Sequence, residues 1–161
     1  MRNFTLSVKV ENRSGVLARI AGLFSARGYN IDSLTVSATE KEDISIMTIV
    51  GTGDDRVIEQ VKKQLNKLID VIKISDHTDQ TTIERELALI RVNALPAKRG
   101  ELYNLGEIFN AELTDISTKS ITFGVKGEPS RIDNFIEILK PYGIKEMMRT
   151  GRVSLLREKI S

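Results

Sequence analysis

The chain has 161 residues, of which 40% are hydrophobic, and its 24 basic side chains nearly balance its 22 acidic ones. This balance argues against a general polyanion binder, which has a concentrated basic face. The absence of Cys excludes disulfides and thiolate metal sites, and a single His excludes His-rich metal sites. No apolar run reaches the ~18 residues of a membrane span, and the N-terminus lacks a continuous apolar signal region. We therefore expect a cytoplasmic protein without a membrane partner.

The first elements of the chain are a strand and a helix. Apolar residues alternate from Phe4 to Val10, which is typical of a strand with one buried face. Ser14 is predicted to cap the helix that follows, and Gly28 is predicted to take the left-handed position at its end. The apolar face predicted for this helix consists of Val16, Leu17, Ile20, Ala21, Leu23 and Phe24.

Two more strands, a helix and a fourth strand complete the first half. The strands are predicted at Leu34–Ala38, Ile44–Val50 and Val71–Ser75, and Asp54 can cap the helix before the last of them. The resulting order, β-α-β-β-α-β, is the ferredoxin-like arrangement.

Residues 77–82 are polar and predict a linker between a first domain, residues 1–76, and a second domain, residues 83–161. His77 lies in this segment and is expected to be exposed. The order of elements then repeats, with Pro129 at the tolerated first position of the last helix. The sequence thus predicts the α+β class, with two ferredoxin-like βαββαβ domains.

The polar loop ENRSG, residues 11–15, stands at the mouth of the first helix. The first turn of a helix has unpaired N–H groups and the positive end of the dipole, so a carboxylate binds there readily. Gly15 lacks the Cβ that would block such an approach, and Asn12 offers both a donor and an acceptor. The residues by themselves leave a second interpretation open, an ordinary Ser-capped helix with a turn glycine.

Other classes of function receive less support. GTGDD, residues 51–55, lacks the third Gly of a dinucleotide fingerprint, because Arg56 stands there, and we interpret it as a helix cap. The third strand, ISIMTIV, has no aromatic or basic side chain on which RNA bases could stack, so no nucleic-acid partner is expected. Asn12 and Arg13 would suit a small acyl phosphatase, but no acid, base or nucleophile accompanies them.

The stretch ENRSGVLARIAGLFSARGYNIDSLTV resembles the ACT-domain signature of the small regulatory subunits of acetolactate synthase, also called acetohydroxyacid synthase. QVKKQLNKLIDVIKISD and IERELALIRV are similar to later stretches of the same family. The resemblance covers nearly the whole chain and is most specific in residues 4–92. It implies that residues 1–76 are an ACT domain that pairs with a second copy through its sheet. Residues 83–161 would be the C-terminal α+β domain of the small subunit.

The resemblance also implies an effector site for valine, with leucine or isoleucine bound more weakly. One chain would provide the loop after the first strand, and the other chain the start of the second strand. The effector carboxylate would lie at the helix mouth, and oxygens of Asn12 or Asn30 would accept from its ammonium. Val16, Leu17 and Ile31 would line the side-chain pocket. The full set is Asn12, Ser14, Gly15, Val16, Leu17, Ala18, Asn30 and Ile31.

A regulatory subunit without catalytic residues or cofactors of its own is the function that the resemblance implies. It would activate the catalytic large subunit, which carries thiamine diphosphate, Mg²⁺ and FAD. It would also confer feedback inhibition by valine in branched-chain amino acid biosynthesis. A stand-alone ACT-type amino-acid sensor and, with less support, a small acyl phosphatase remain the alternatives.

Overall fold

The computed structural model describes residues 1–159 and divides the chain into two compact units. The first unit comprises Met1–Ile83 together with the segment that begins at Val153, and the second comprises Glu84–Arg152. Each unit contains an antiparallel sheet and two helices in the order βαββαβ, so the predicted fold class is confirmed. No helix among the described residues is long and apolar enough to cross a membrane.

The first unit has one sheet with the strand order β2-β3-β1-β4. Its core lies on one face of this sheet, where Leu6 and Val8 of the first strand pack with Ile20 and Val61 of the two helices. This arrangement follows from the alternation of side chains along a strand, which points every second residue towards the helices. The elements are β1 Arg2–Glu11, α1 Val16–Ala26, β2 Ile31–Ala38, β3 Ile44–Gly53, α2 Asp55–Asn66 and β4 Val71–Asp76.

The apolar face of α1 is narrower than predicted. Its buried residues are Val16, Ile20 and Phe24, which follow one another at intervals of four. Leu17 was expected in the core but is 45% exposed, and Ala21 is exposed as well. The reason is that α1 contacts the sheet along a single line of its surface. Successive side chains of a helix are rotated by about 100°, so Leu17 and Ala21, each next to a buried residue, point away from that line and reach solvent.

The predicted cap of α1 is wrong by one residue. Gly15, with φ 84°, occupies the capping position, and no side chain hydrogen-bonds to the first turn. Ser14 lies exposed in the preceding turn. The left-handed conformation of Gly15 lets the backbone enter the helix directly, and few residues other than glycine adopt it without strain. Gly28, with φ 67°, ends the helix region as predicted.

The GTGDD stretch serves packing and capping. Asp54 accepts a hydrogen bond from the N–H of Val57 at 2.9 Å, so the predicted cap of α2 is confirmed. A Cβ on Gly51 would lie 2.5 Å from Cζ of Phe4, and one on Gly53 would lie 2.7 Å from Cγ1 of Val57. Both glycines are therefore explained by close packing.

The predicted linker is an ordered turn. Asp76 ends β4, and the next strand begins at Thr82, which leaves residues 77–81 between them. The expectation of an exposed His77 is wrong: it is 5% exposed, and its Nδ1 lies 2.7 Å from Oγ of Ser154. Its backbone N–H also donates to Thr5 O at 2.8 Å. The partner of His77 lies 77 residues away, which is why local sequence gave no signal for its burial.

The second unit has a sheet with the order β6-β7-β5-β8, which matches the order in the first unit. Phe123 and Phe135 meet edge to face in its core, with centroids 5.4 Å apart. Two short 3₁₀ helices, Pro96–Lys98 and Lys140–Tyr142, precede α3 and β8. The elements are β5 Thr82–Asn93, α3 Arg99–Ile108, β6 Glu112–Ile116, β7 Ser120–Gly127, α4 Pro129–Leu139 and β8 Ile144–Arg149.

A ninth strand, β9 Val153–Leu156, was not predicted from the sequence. The segment that begins at Val153 belongs to the first compact unit. Two contacts explain the assignment. Ser154 bonds His77, and the N–H of Arg157 donates to Thr81 O at 3.0 Å.

Candidate functional site

At the mouth of α1, no side chain accepts a hydrogen bond from the backbone N–H groups of the first turn. Gly15 leads the backbone into the helix, no side chain caps the first turn, and that turn contains no acidic residue. Leu17 and Ala18, the next residues of the turn, are exposed. The N–H of Val16 donates to Arg13 O at 3.4 Å, and the next N–H groups of the first turn lack intrahelical partners, so this mouth combines donors with the positive end of the dipole. It can bind a carboxylate.

A cavity of about 380 Å³ is lined in part by the loop that leads to this mouth. The cavity lies at one end of the sheet, where the connection β1–α1, the connection β2–β3 and the start of β4 come together. The register of β1 and β3 brings the first two together, because it pairs Glu11 with Ile44. The lining residues are Glu11, Asn12, Arg13, Asp43, Ile44 and Ile72.

Asn12 is held in place from both its backbone and its side chain. Its N–H donates to Asp43 O at 2.8 Å, and its Nδ2 donates to Glu42 O at 2.8 Å. The described contacts of the side chain thus use its donor group, so that Oδ1 is available as an acceptor for a ligand N–H.

A buried carboxylate fastens the loop to the rest of the first unit. Asp70 is 5% exposed and accepts from Arg19 Nε at 2.8 Å. Arg13, in the loop itself, pairs with Asp70 at 3.4 Å and also with Glu11. Sequence reasoning missed this anchor. Its signal was a single Asp between Ile69 and Val71, since a buried charge needs a partner.

Asn30 and Ile31 lie at the start of β2. Nδ2 of Asn30 donates to Asp32 Oδ1 at 2.7 Å, and Asp32 Oδ2 accepts from Thr52 Oγ1 at 2.8 Å. As with Asn12, the described contacts leave Oδ1 of Asn30 as a possible acceptor. Ile31 is half-buried and packs against the core, and the register shifts between it and Ser33.

The eight predicted site residues form two separate groups within one chain. Asn12 to Ala18 lie at the end of the sheet where Glu11 pairs with Ile44, whereas Ile31 lies at the end where Gly51 pairs with Phe4. Seven strand positions separate these ends, which corresponds to roughly 23 Å. One copy of the chain therefore does not bring the groups together. Within the first group, Val16 is 3% exposed and packs in the core, so its side chain does not face the mouth.

Among residues 1–159, no cluster of His, Cys, Asp or Glu side chains is arranged to hold a metal ion. The groups at the mouth of α1 are backbone N–H groups, amides, two arginines and carboxylates. These can bind and orient a small zwitterion by hydrogen bonds and charge.

Comparison with known proteins gives two family matches that together cover most of the chain. Residues 6–73 match the ACT domain of the acetohydroxyacid synthase small-subunit type. Residues 85–158 match the family described as the small subunit of acetolactate synthase.

Relatives along the full length agree with these matches. The chain is 54% identical over 153 residues to a probable acetolactate synthase small subunit of Archaeoglobus fulgidus, covering 95% of this chain and 96% of that one. It is 50% identical over 159 residues to the acetolactate synthase small subunit of Aquifex aeolicus, covering 98% and 83%. The crystal structure of the acetolactate synthase small subunit of Thermotoga maritima matches with TM-score 0.89 at 34% identity, covering 99% and 100%. The chain therefore belongs to the family of acetolactate synthase small subunits and contains the ACT domain of that family.

Proposed function

We propose that this chain binds the catalytic large subunit of acetolactate synthase, raises its activity and makes it sensitive to feedback inhibition by valine in branched-chain amino acid biosynthesis. The relatives' names support a partner, because a small subunit implies a larger one. The observation that supports an amino-acid effector is the uncapped mouth of α1 beside Asn12.

The mouth of α1 matches the chemistry of an α-amino acid. The carboxylate accepts from the first-turn N–H groups, whose dipole end is not neutralised by an acidic side chain. The ammonium donates to Oδ1 of Asn12 or Asn30. Leu17 and Ile31 contact the branched side chain. Because an apolar pocket separates ligands by only ~1–3 kcal/mol per methylene, leucine and isoleucine bind too, more weakly than valine.

A homodimer through the ACT domains completes this site. β2 is an edge strand of its sheet, and an edge strand favours pairing with another strand. If two copies of β2 pair antiparallel, the start of one lies beside the end of the other. Within a chain, Ala38 at the end of β2 pairs with Ser45, next to the end that carries Asn12. The second copy thereby brings its own Asn30 and Ile31 towards this mouth.

Regulation follows from a ligand that bridges two chains. Valine favours the placement of the two ACT domains that closes its site, and this placement is the two-state element that the catalytic subunit senses. The coupling is reciprocal for binding, so a catalytic subunit that prefers the other placement weakens the binding of valine. The catalytic subunit holds thiamine diphosphate, Mg²⁺ and FAD, and we assign no cofactor to this chain.

A small acyl phosphatase is the less favoured alternative. Arg13, its candidate phosphate ligand, already pairs with two carboxylates, those of Glu11 and Asp70. A phosphate would have to displace both and then lie among their negative charges. A stand-alone sensor differs from our proposal only in lacking the catalytic subunit as a partner, so reconstitution decides between them.

Calorimetric titration with valine tests the site. Gly15→Asp places a carboxylate at the mouth and forces a side chain onto a residue with φ 84°. We expect valine to bind roughly 100-fold more weakly or not at all, since it loses charge-assisted hydrogen bonds and meets a like charge. Gly100→Asp is the matched control, because a Cβ there meets nothing within 4 Å. Wild-type valine affinity in Gly15→Asp would contradict the site.

Reconstitution with the catalytic subunit tests the rest of the proposal. The wild-type chain is expected to raise acetolactate formation, and valine to reverse that rise. Asn12→Ala is expected to keep the activation and to lose most of the valine sensitivity, because we assign Asn12 to the effector site and not to contact with the catalytic subunit. If the wild-type chain binds valine but neither activates nor co-purifies with the catalytic subunit, it is a stand-alone sensor.

A further inference from the structure

The second unit has a cavity of about 560 Å³ whose lining combines positive charge with apolar surface. Its lysines are Lys98, Lys119 and Lys145, and its apolar walls include Leu95, Pro141 and Tyr142. The volume lies within the range of about 300–1,000 Å³ that is usual for small-molecule sites.

This cavity has the same place in its unit as the cavity beside Asn12 has in the first unit. Leu95 lies in the connection β5–α3, Lys119 in the turn β6–β7, and Tyr142 in the connection α4–β8. The cavity of the first unit is lined from β1–α1, β2–β3 and the start of β4, which are the corresponding elements. The two sheets have matching strand orders, so the same loops converge in both units.

The charge of the second cavity is not balanced. Glu101 forms an ion pair with Lys98, whose Nζ donates to Oε1 of Glu101 at 3.1 Å. Glu101 also accepts a hydrogen bond from the hydroxyl of Tyr142 at 2.8 Å. The hydrogen bond from Tyr142 is the main reason why the pKa of Glu101 lies below its ordinary value. Among residues 1–159, no carboxylate pairs with Lys119 or Lys145. Three ammonium groups against one carboxylate leave two positive charges at the cavity.

The loops around the cavity are fixed before any ligand binds. Arg99 joins two of them, because its Nε donates to Ala94 O at 3.2 Å and its Nη2 donates to Ser117 O. Asn93 N–H donates to Gly143 O at 2.9 Å and fixes the third. A site with loops fixed in advance loses little conformational entropy when it binds a ligand.

We propose that this cavity binds a small organic dianion, a phosphomonoester or a dicarboxylate with an apolar part. Lys119 and Lys145 contact the charges, while Leu95 and the ring of Tyr142 contact the apolar part. Two negative charges match the two unbalanced positive ones. The inference concerns the second unit alone and does not depend on valine binding by the first.

Titrations with phenyl phosphate and phenylsuccinate at constant ionic strength test the proposal and distinguish its two kinds of ligand. We expect saturable binding of at least one probe by the wild-type chain. Lys119→Gln with Lys145→Gln is expected to weaken it by about tenfold or more, through the loss of two charge-assisted contacts. Lys63→Gln with Lys126→Gln removes the same charge from exposed positions elsewhere and is expected to leave the affinity unchanged.

Glu101→Gln gives a test of opposite sign. It removes the negative charge from the cavity, and we expect tighter binding of the probe, whereas Glu107→Gln on the same helix changes the net charge equally and has little effect. The titration with valine is expected to be the same in all these variants. The proposal is overturned if neither probe saturates, if both double lysine variants lose affinity equally, or if Glu101→Gln binds no more tightly than Glu107→Gln.

Discussion

The two units have the same order of elements and differ at the mouth of their first helix. In the first unit, Gly15 leads directly into α1, whose first turn has neither a cap nor an acidic side chain. In the second, the chain passes through the 3₁₀ helix Pro96–Lys98, and the first turn of α3 contains Glu101. A ligand carboxylate is therefore favoured at the mouth of α1 and repelled at that of α3. The positive charge of the second unit lies on lysines beside the helix instead.

This difference shows that the fold sets the position of the cavity in each unit, whereas the side chains of the loops determine which ligand can bind there. Matching strand orders bring the same three connections together in both units. Function then depends on which side chains the connections contain, since one fold can present unrelated sites. Three further predictions test how far the two units differ.

The largest expected effect concerns the buried carboxylates. Glu86 of the second unit is paired with one arginine, Arg149, at 2.7 and 2.8 Å, whereas Asp70 of the first is shared by Arg19 and Arg13. Arg149→Met leaves a buried charge alone, and we expect it to lower the free energy of unfolding by about 3 kcal/mol. For Arg19→Met we expect the free energy of unfolding to fall by only about 1 kcal/mol, because Arg13 still pairs with Asp70.

Urea unfolding followed by amide hydrogen exchange in each unit measures both losses. Arg85→Met is the control for the second unit, since Arg85 is 53% exposed and pairs with Glu128 only at 3.8 Å. A loss in Arg19→Met that equals the loss in Arg149→Met would show that Arg13 does not share the charge of Asp70.

The next effect concerns the helix caps within the first unit. Asp54→Ala removes a side chain that accepts from Val57 N–H at 2.9 Å, and we expect a loss of about 1 kcal/mol in the free energy of unfolding. Ser14→Ala is expected to change it by less than about 0.5 kcal/mol, because Ser14 caps nothing and is exposed. Chemical denaturation of both variants checks the pair. Equal losses would restore Ser14 as the cap of α1.

The smallest effect is a pH dependence at the exit of β4. Burial alone would raise the pKa of Asp76, but hydrogen bonds from Thr78 and the ammonium of Lys62 outweigh it, so the pKa lies below its ordinary value. A carboxyl whose pKa is lower in the folded state stabilises the fold above its unfolded pKa. That contribution is lost as the pH falls through the folded pKa.

Thr78→Val is therefore expected to raise the pKa of Asp76 and to flatten the loss of stability in acid. Carboxyl NMR titration and unfolding at neutral and acidic pH measure the two changes. Thr114→Val is the control in the second unit, since it also removes a hydroxyl, but one that donates to a backbone carbonyl, Thr122 O, at 3.2 Å. An unchanged pKa of Asp76 in Thr78→Val would contradict the assigned cause.

The sequence by itself determined the fold class and most of the secondary structure, with β9 as an exception. Alternation in β1, the spacing of Val16, Ile20 and Phe24, and the cap at Asp54 are local signals, because strand and helix periods act on neighbouring residues. The loop ENRSG is likewise a local signal, because its polar residues and glycine directly precede the apolar helix. These features needed no partner from a distant part of the chain.

Only the tertiary structure decided which candidates are buried, paired or brought together. His77 is buried because Ser154 reaches it from a segment far along the chain, and Asp70 lies in the interior because two arginines meet it. The separation of Asn12 from Asn30 follows from strand register. Such facts depend on contacts between residues far apart in sequence, which the local periodicity of a chain does not encode.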